Sequence, residues 1–144
     1  MFYPMIFIPI IVGFVAQAIK FVFIVRRRKK LKWSYIFEHG YMPSAHTAFV
    51  TSLIATVGYY EGFDSSTFAI SFVLAYIVVD DALRFRRDLG RHGQVLNFLI
   101  KKFPELNHKK YPHLKERLGH KVSEVIAGGF IGVGLSLLLI QIFG

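Results

Sequence analysis

The 144-residue chain contains no cysteine, which excludes disulfide frameworks, thiolate metal sites and a cysteine nucleophile together. Carboxylates are scarce as well, 9 Asp and Glu against 18 Lys and Arg. No H-E-x-x-H pattern occurs, so a zinc hydrolase of that kind lacks its ligands and no metal is expected. Charged residues make up only 19% of a chain that is 53% apolar, yet the net charge is +9, so the charge must be crowded between apolar runs. A soluble nucleic-acid binder would spread its cations over a polar surface, and nucleic acid is therefore not expected as a partner. The first apolar run has no basic residue before it and no small-residue cleavage site after it, unlike a signal peptide, and is expected to remain in the mature protein.

What is present is a series of runs long enough to cross a hydrocarbon core, which takes about 20 helical residues. They lie near 4–25, 43–60, 66–84 and 121–143. The expected fold is all-α: a polytopic membrane helix bundle of about four transmembrane helices, forming one domain over 1–144. The middle two runs carry Ser, Thr and Gly, which a bundle can bury between helices, and Gly128 and Gly132 in the last form a small-xxx-small pair suited to close packing. Arg26 to Lys32 follows the first run, whereas the acidic Glu61 to Ser66 link separates the second and third. Basic short loops stay cytoplasmic, so residues 26–42 and the basic connection after the third run are expected inside, and both termini outside. Asp80 to Asn97 reads as an interfacial helix leaving the membrane on the cytoplasmic side.

Ionisable groups collect at the inner end of every span: Lys20, His46, Asp80 with Asp81, and His120 with Glu124. Such groups are costly in a membrane unless paired or facing a polar cavity, so a shared polar site is expected there. Pro43 suits the first turn of a helix, where free backbone amides favour an anion, and Ser44 and His46 could add a donor and an acid. His120 and Glu124 are four apart, so on a helix they share a face, and the carboxylate would hold one ring nitrogen and leave the other to act as base or nucleophile. Asp80, Arg84, Arg87 and Arg91 fall on one stripe of the helix leaving the third span, facing either lipid headgroups or a bound phosphate.

Pro43-Ser44-Ala45-His46 resembles the P-S-G-H element of the type 2 phosphatidic acid phosphatase (PAP2) superfamily, and the stretch from Gly119 to Gly128 resembles its closing H-x-x-x-D element followed by small residues. The chain is more similar still to the divergent PAP2 family, the small group related to acid phosphatases and vanadium haloperoxidases. Gln17 to Lys20 matches Q-x-x-K, and Met42 to His46 matches M-P-S-[SA]-H. Asp81, Ala82, Arg86, Arg87, Gly90, Leu96 and Asn97 match D-A-x-x-x-R-R-x-x-G-x-x-x-x-x-L-N, and Leu118 to Val125 matches L-G-H-x-x-x-E-V.

The resemblance implies a lipid phosphatase in which His120 attacks phosphorus, Glu124 orients it and His46 protonates the departing oxygen. Lys20, Ser44, the amide of Ala45 and Arg86 or Arg87 would hold the phosphate, with Asp80, Asp81, Asn97 and Arg117 in support and no cofactor. Three departures accompany it. Arg28 stands where the superfamily has the Pro of K-x6-R-P, Leu114 stands where an Arg precedes the nucleophile, and Glu124 replaces Asp. Lys115, Arg117 or the Arg86-Arg87 pair are the candidates to replace the absent Arg. A cytoplasm-facing site, in a multi-pass protein of the plasma (inner) membrane, favours a phospholipid such as phosphatidylglycerophosphate or phosphatidate over isoprenyl diphosphates. The alternative is a non-catalytic lipid-binding or assembly protein on the same fold. Four helices are few to shield a site from water, so a homodimer is expected.

Overall fold

The computed structural model describes residues 3–37, 41–103, 111–116 and 118–143. Among the described residues five α-helices dominate: α1 Pro4–Arg28, α2 Ala45–Glu61, α3 Ser66–Asp80, α4 Arg86–Lys102 and α5 Val122–Phe143. A 3-10 turn covers Trp33–Phe37, and a π-helical turn at Asp81–Phe85 joins α3 to α4 without a break. No strand occurs among the described residues, as the all-α expectation requires.

Among the described residues, three helices are long and apolar enough to cross a membrane: α1, the continuous Ser66–Lys102 helix and α5. The second of the four expected spans, α2, has 17 residues and is not among them. Ser66–Lys102 has 37 residues, which at 1.5 Å each is about 55 Å, well beyond a hydrocarbon core of about 30 Å. Its α4 half, with Arg86, Arg87, Asp88 and Arg91, is the part that must emerge.

The sequence explains how the helices meet. On α1 the buried residues Ile8, Val12, Ala16, Lys20 and Ile24 recur every fourth position, one face of a helix, so Lys20 lies in the stripe that α1 turns inward. Helix α2 is central, touching α1, α3 and α5. This position accounts for its modest hydropathy: Thr47, Ser52 and Thr56 are buried against other helices and need not meet lipid. Large apolar side chains of the outer helices, among them Phe14, Ile70, Val73 and Phe130, point outward, the surface a bilayer would cover.

Along the α2–α5 contact, small residues at four-residue spacing face each other. A Cβ on Gly128 would strike the Ser44 carbonyl, and one on Gly132 the Ala48 carbonyl and the Thr51 hydroxyl. One turn further, Ser136 donates to Ser52. The packing role expected for Gly128 and Gly132 is thus borne out. Gly132→Ala has no room to adjust because its neighbour is backbone, and is expected to cost about 1–3 kcal/mol, read as a lowered midpoint of thermal unfolding in detergent.

Helix ends carry their own signals. Ser44 is the N-cap of α2, its hydroxyl accepting the Thr47 amide at 3.4 Å, so Pro43 precedes the helix and does not sit in its first turn as expected. Gly62 ends α2 with φ +85°, a conformation open to glycine, and Ser65 then caps α3 by accepting the Phe68 amide at 3.1 Å.

Candidate active site

His120 and Glu124 are the centre of the site, 5% and 6% exposed. Nδ1 of His120 lies 3.0 Å from Oε2 of Glu124, and the Lys121 amide donates to the same oxygen at 3.1 Å. The route to this pairing differs from the expected one. α5 begins at Val122, so His120 precedes the helix, and Glu124, third residue of the helix, reaches back over its start in the manner of a capping-box glutamate. With Nδ1–H given to the carboxylate, Nε2 carries the free lone pair.

Two further elements pin this corner. The amide of Ser44 donates to the Glu124 carbonyl at 3.0 Å, which sets the start of α2 beside the first turn of α5. The amide of His120 donates to the Ala82 carbonyl at 3.1 Å, inside the π-helical turn. A widened turn displaces the usual i+4 donors, leaving a carbonyl open to such an outside partner.

The same turn sets Arg86. In a π-helix residues five apart stack, and Arg86 Nε accordingly donates to Asp81 Oδ2 at 2.6 Å. The positive charges of Lys20 and Arg86 both act on His120. Burial is the main influence on this ring, which lies just outside the α5 span, and it holds the imidazole below its ordinary pKa. The hydrogen bond and charge of Glu124 oppose the shift, while Lys20 and Arg86 add to it.

The remaining candidates fall into place around this centre. His46 lies in the first turn of α2, two residues after Ser44, and is exposed. Ser44 is fully buried, its hydroxyl accepting from the Thr47 amide and from the Thr47 hydroxyl at 2.9 Å; Ala45 opens the helix. Arg87 is exposed, and its backbone is the surface on which Gly119 rests. Arg117 lies outside the described residues.

The expected Asp80-Arg84-Arg87-Arg91 stripe does not hold together, because the π-helical turn inserts an extra residue per turn between its members. Asp80 pairs with Arg84 on the exposed side facing α2, and Arg91 pairs with Asp88 at 3.3 Å. Asn97 binds no open site: its amide donates to the Leu114 carbonyl and to Glu116, both at 2.9 Å, and its oxygen accepts the Leu114 amide at 3.0 Å. Gly90 and Gly93 leave room for the backbone of Glu116 and Lys115. Gly90, Gly93 and Asn97 thus form a strip on α4 that holds the segment leading to His120, a role with no signature beyond their three- and four-residue spacing.

A bundle of apolar helices with a buried, carboxylate-held histidine among cations at one end defines an integral membrane protein with a polar cluster at one end of its bundle. The chain belongs to the divergent PAP2 family, whose profile matches residues 3–135. It is 42% identical over 141 residues to the uncharacterized membrane protein YuiD of Bacillus subtilis (strain 168), a match covering 89% of this chain and 88% of that one. No solved structure matches it.

Proposed function

We propose that the protein is a membrane lipid phosphatase that hydrolyses a phosphate monoester, of phosphatidylglycerophosphate or phosphatidate type, through a phosphohistidine. The observation that carries this reading is His120 itself: buried, its Nδ1 committed to Glu124, and its Nε2 left as nucleophile in the field of Lys20 and Arg86. Nε2 attacks phosphorus and the bond to the lipid oxygen breaks, with His46 giving that oxygen its proton. Water then attacks the phosphohistidine, His46 takes a proton from it, and phosphate leaves. Lys20, Arg86, Ser44 and the Ala45 amide neutralise the phosphoryl oxygens, which is most of what phosphoryl transfer asks of a protein. Arg86 fills the role of the Arg absent at position 114, since its charge reaches His120.

In this reading the whole chain acts as one membrane-embedded domain, α2 is the fourth span sheltered by its neighbours, and the site faces the cytoplasm of the plasma membrane. A homodimer completes the shielding of the site from water. The non-catalytic alternative is favoured by one observation, Leu114 in place of the expected Arg. The test is to mix purified protein with phosphatidate labelled at phosphorus in detergent and chelator, quench, and map phosphohistidine by mass spectrometry. Label on His120 supports the phosphatase; a bound but unmodified lipid, with no phosphate released, leaves the binder.

The acid limb of activity follows from the same burial. The lowered pKa keeps His120 neutral below the ordinary 6.5 of imidazole, so kcat/KM is expected to fall only at pH below that value. Glu124→Gln removes a group that raises this pKa, so its acid limb moves to still lower pH even as turnover drops. Stability runs in the same sense: the unfolded chain binds this proton more readily, so folding weakens as pH falls through 6.5 and towards the folded-state value.

A further inference from the structure

α1 and α5 enclose a cavity of about 470 Å³ that touches Glu124, within the usual size of a small-molecule site. Its lining changes character along the helices. Ile19, Phe23 and Arg27 follow at four-residue spacing on α1, while α5 offers Ala127 and, at its start, Glu124 with Lys121 just ahead. Apolar residues therefore occupy the part towards the helix middles, and the cations Arg27 and Lys121 the part at the helix ends. Tyr41 also lines this end, its hydroxyl accepting from Arg28 at 2.7 Å with the guanidinium 5.6 Å from its ring centre, so the rim is tied down.

Among the described residues no carboxylate pairs with the side chain of Arg27 or Lys121. These two cations are additional to Lys20 and Arg86, and they line a space that an apolar wall continues towards the membrane interior. One phosphate monoester would use the first pair and leave the second idle. An acyl chain attached to a phosphodiester matches the second space in both polarity and charge.

We propose that this cavity is a second anion subsite, seating the phosphodiester and an acyl chain of a glycerophospholipid whose terminal phosphomonoester lies at His120. The proposal rests on the phosphatase reading and narrows it: the preferred substrate bears both a diester and a monoester, as phosphatidylglycerophosphate does, and phosphatidate fills only half the site. Arg27 and Lys121 then set specificity while taking no part in bond breaking.

The experiment compares wild type, Arg27→Gln and Lys121→Gln on phosphatidylglycerophosphate and phosphatidate of identical acyl chains in mixed micelles. Both residues are exposed, so the variants fold. Each is expected to lower the ratio of kcat/KM between the two lipids about tenfold, through KM of the first. A ratio that stays constant, whether both lipids slow in parallel or neither does, overturns the proposal and reduces the two cations to general attraction for an acidic surface. A second readout is independent of turnover: retention of phosphatidylglycerol, the diester lipid, by protein taken from vesicles of phosphatidylglycerol and phosphatidylcholine, measured by mass spectrometry. If wild type hydrolyses neither lipid, the phosphatase reading fails, and the subsite is judged by retention alone. Retention lost in both variants supports it; equal retention in all three overturns it.

Discussion

Replacing His120 with alanine is expected to lower kcat by roughly 10⁴-fold or more, the scale seen when a covalent nucleophile is removed. The prediction must be separated from misfolding, because His120 is buried and its loss leaves the Glu124 carboxylate, among the described residues, with only the Lys121 amide as a hydrogen-bond partner. A buried carboxylate that loses a hydrogen bond destabilises the fold. His120→Asn avoids this. Its side-chain amide can donate to Glu124 much as Nδ1–H does, yet it has nothing at the position of Nε2. The Asn variant should therefore melt close to wild type while being as inactive as the Ala variant. His46→Ala makes the contrast. A residue that only protonates a leaving oxygen matters when that oxygen is a poor leaving group, so this variant should lose about 10²–10⁴-fold on an alkyl phosphate lipid and far less on p-nitrophenyl phosphate. Equal losses on both would mean that His46 holds phosphate and moves no proton. Normal turnover in His120→Asn would remove the covalent mechanism outright.

Much of this arrangement was legible in the sequence, and the parts that were not share a cause. Apolar runs located α1, α3 and α5 because lipid-facing helices must be apolar on most of their circumference. The run at 43–60 was diluted by Thr47, Ser52 and Thr56, since a central helix packs against protein on several sides and has no such requirement. The pairing of His120 with Glu124 was legible from spacing alone, although it is made by a helix-start glutamate reaching back and not by two residues on one helix face. The π-helical turn left no mark in hydropathy. Asp81 and Arg86 are five apart, a spacing that an α-helix would place on different faces, and so the charge stripe drawn through Asp80, Arg84, Arg87 and Arg91 was drawn in the wrong register. Gly90 and Gly93 are no more legible: their value lies in what rests on them, the chain ahead of His120, and contacts between segments far apart in sequence have no local signature.

The register shift makes the second large prediction. Arg86→Ala is expected to reduce kcat about 10²–10³-fold, the usual loss when one preorganised donor to a developing anion is removed. Arg86→Lys keeps the charge but not the planar fork, and should recover only part of it. Asp81 touches Arg86 and, in this reading, no substrate, so it is a positioning residue: Asp81→Asn weakens a charge-assisted bond and should cost about tenfold in kcat. The double variant decides between this and a separate role. If Asp81 works only through Arg86, Asp81→Asn adds nothing once Arg86 is alanine, and the double variant is as slow as Arg86→Ala alone. Multiplying losses would instead give Asp81 its own contact with substrate or with the His120 segment, which the neighbouring Ala82 carbonyl already anchors. Thermal midpoints of the single variants separate the cases further, since Asp81 and Arg86 are both partly exposed and their pairing contributes little to folding. A loss of turnover without a matching loss of stability is what positioning by a π-helical turn requires, because the turn places a guanidinium towards His120 where an unbroken α-helix would carry it round to another face.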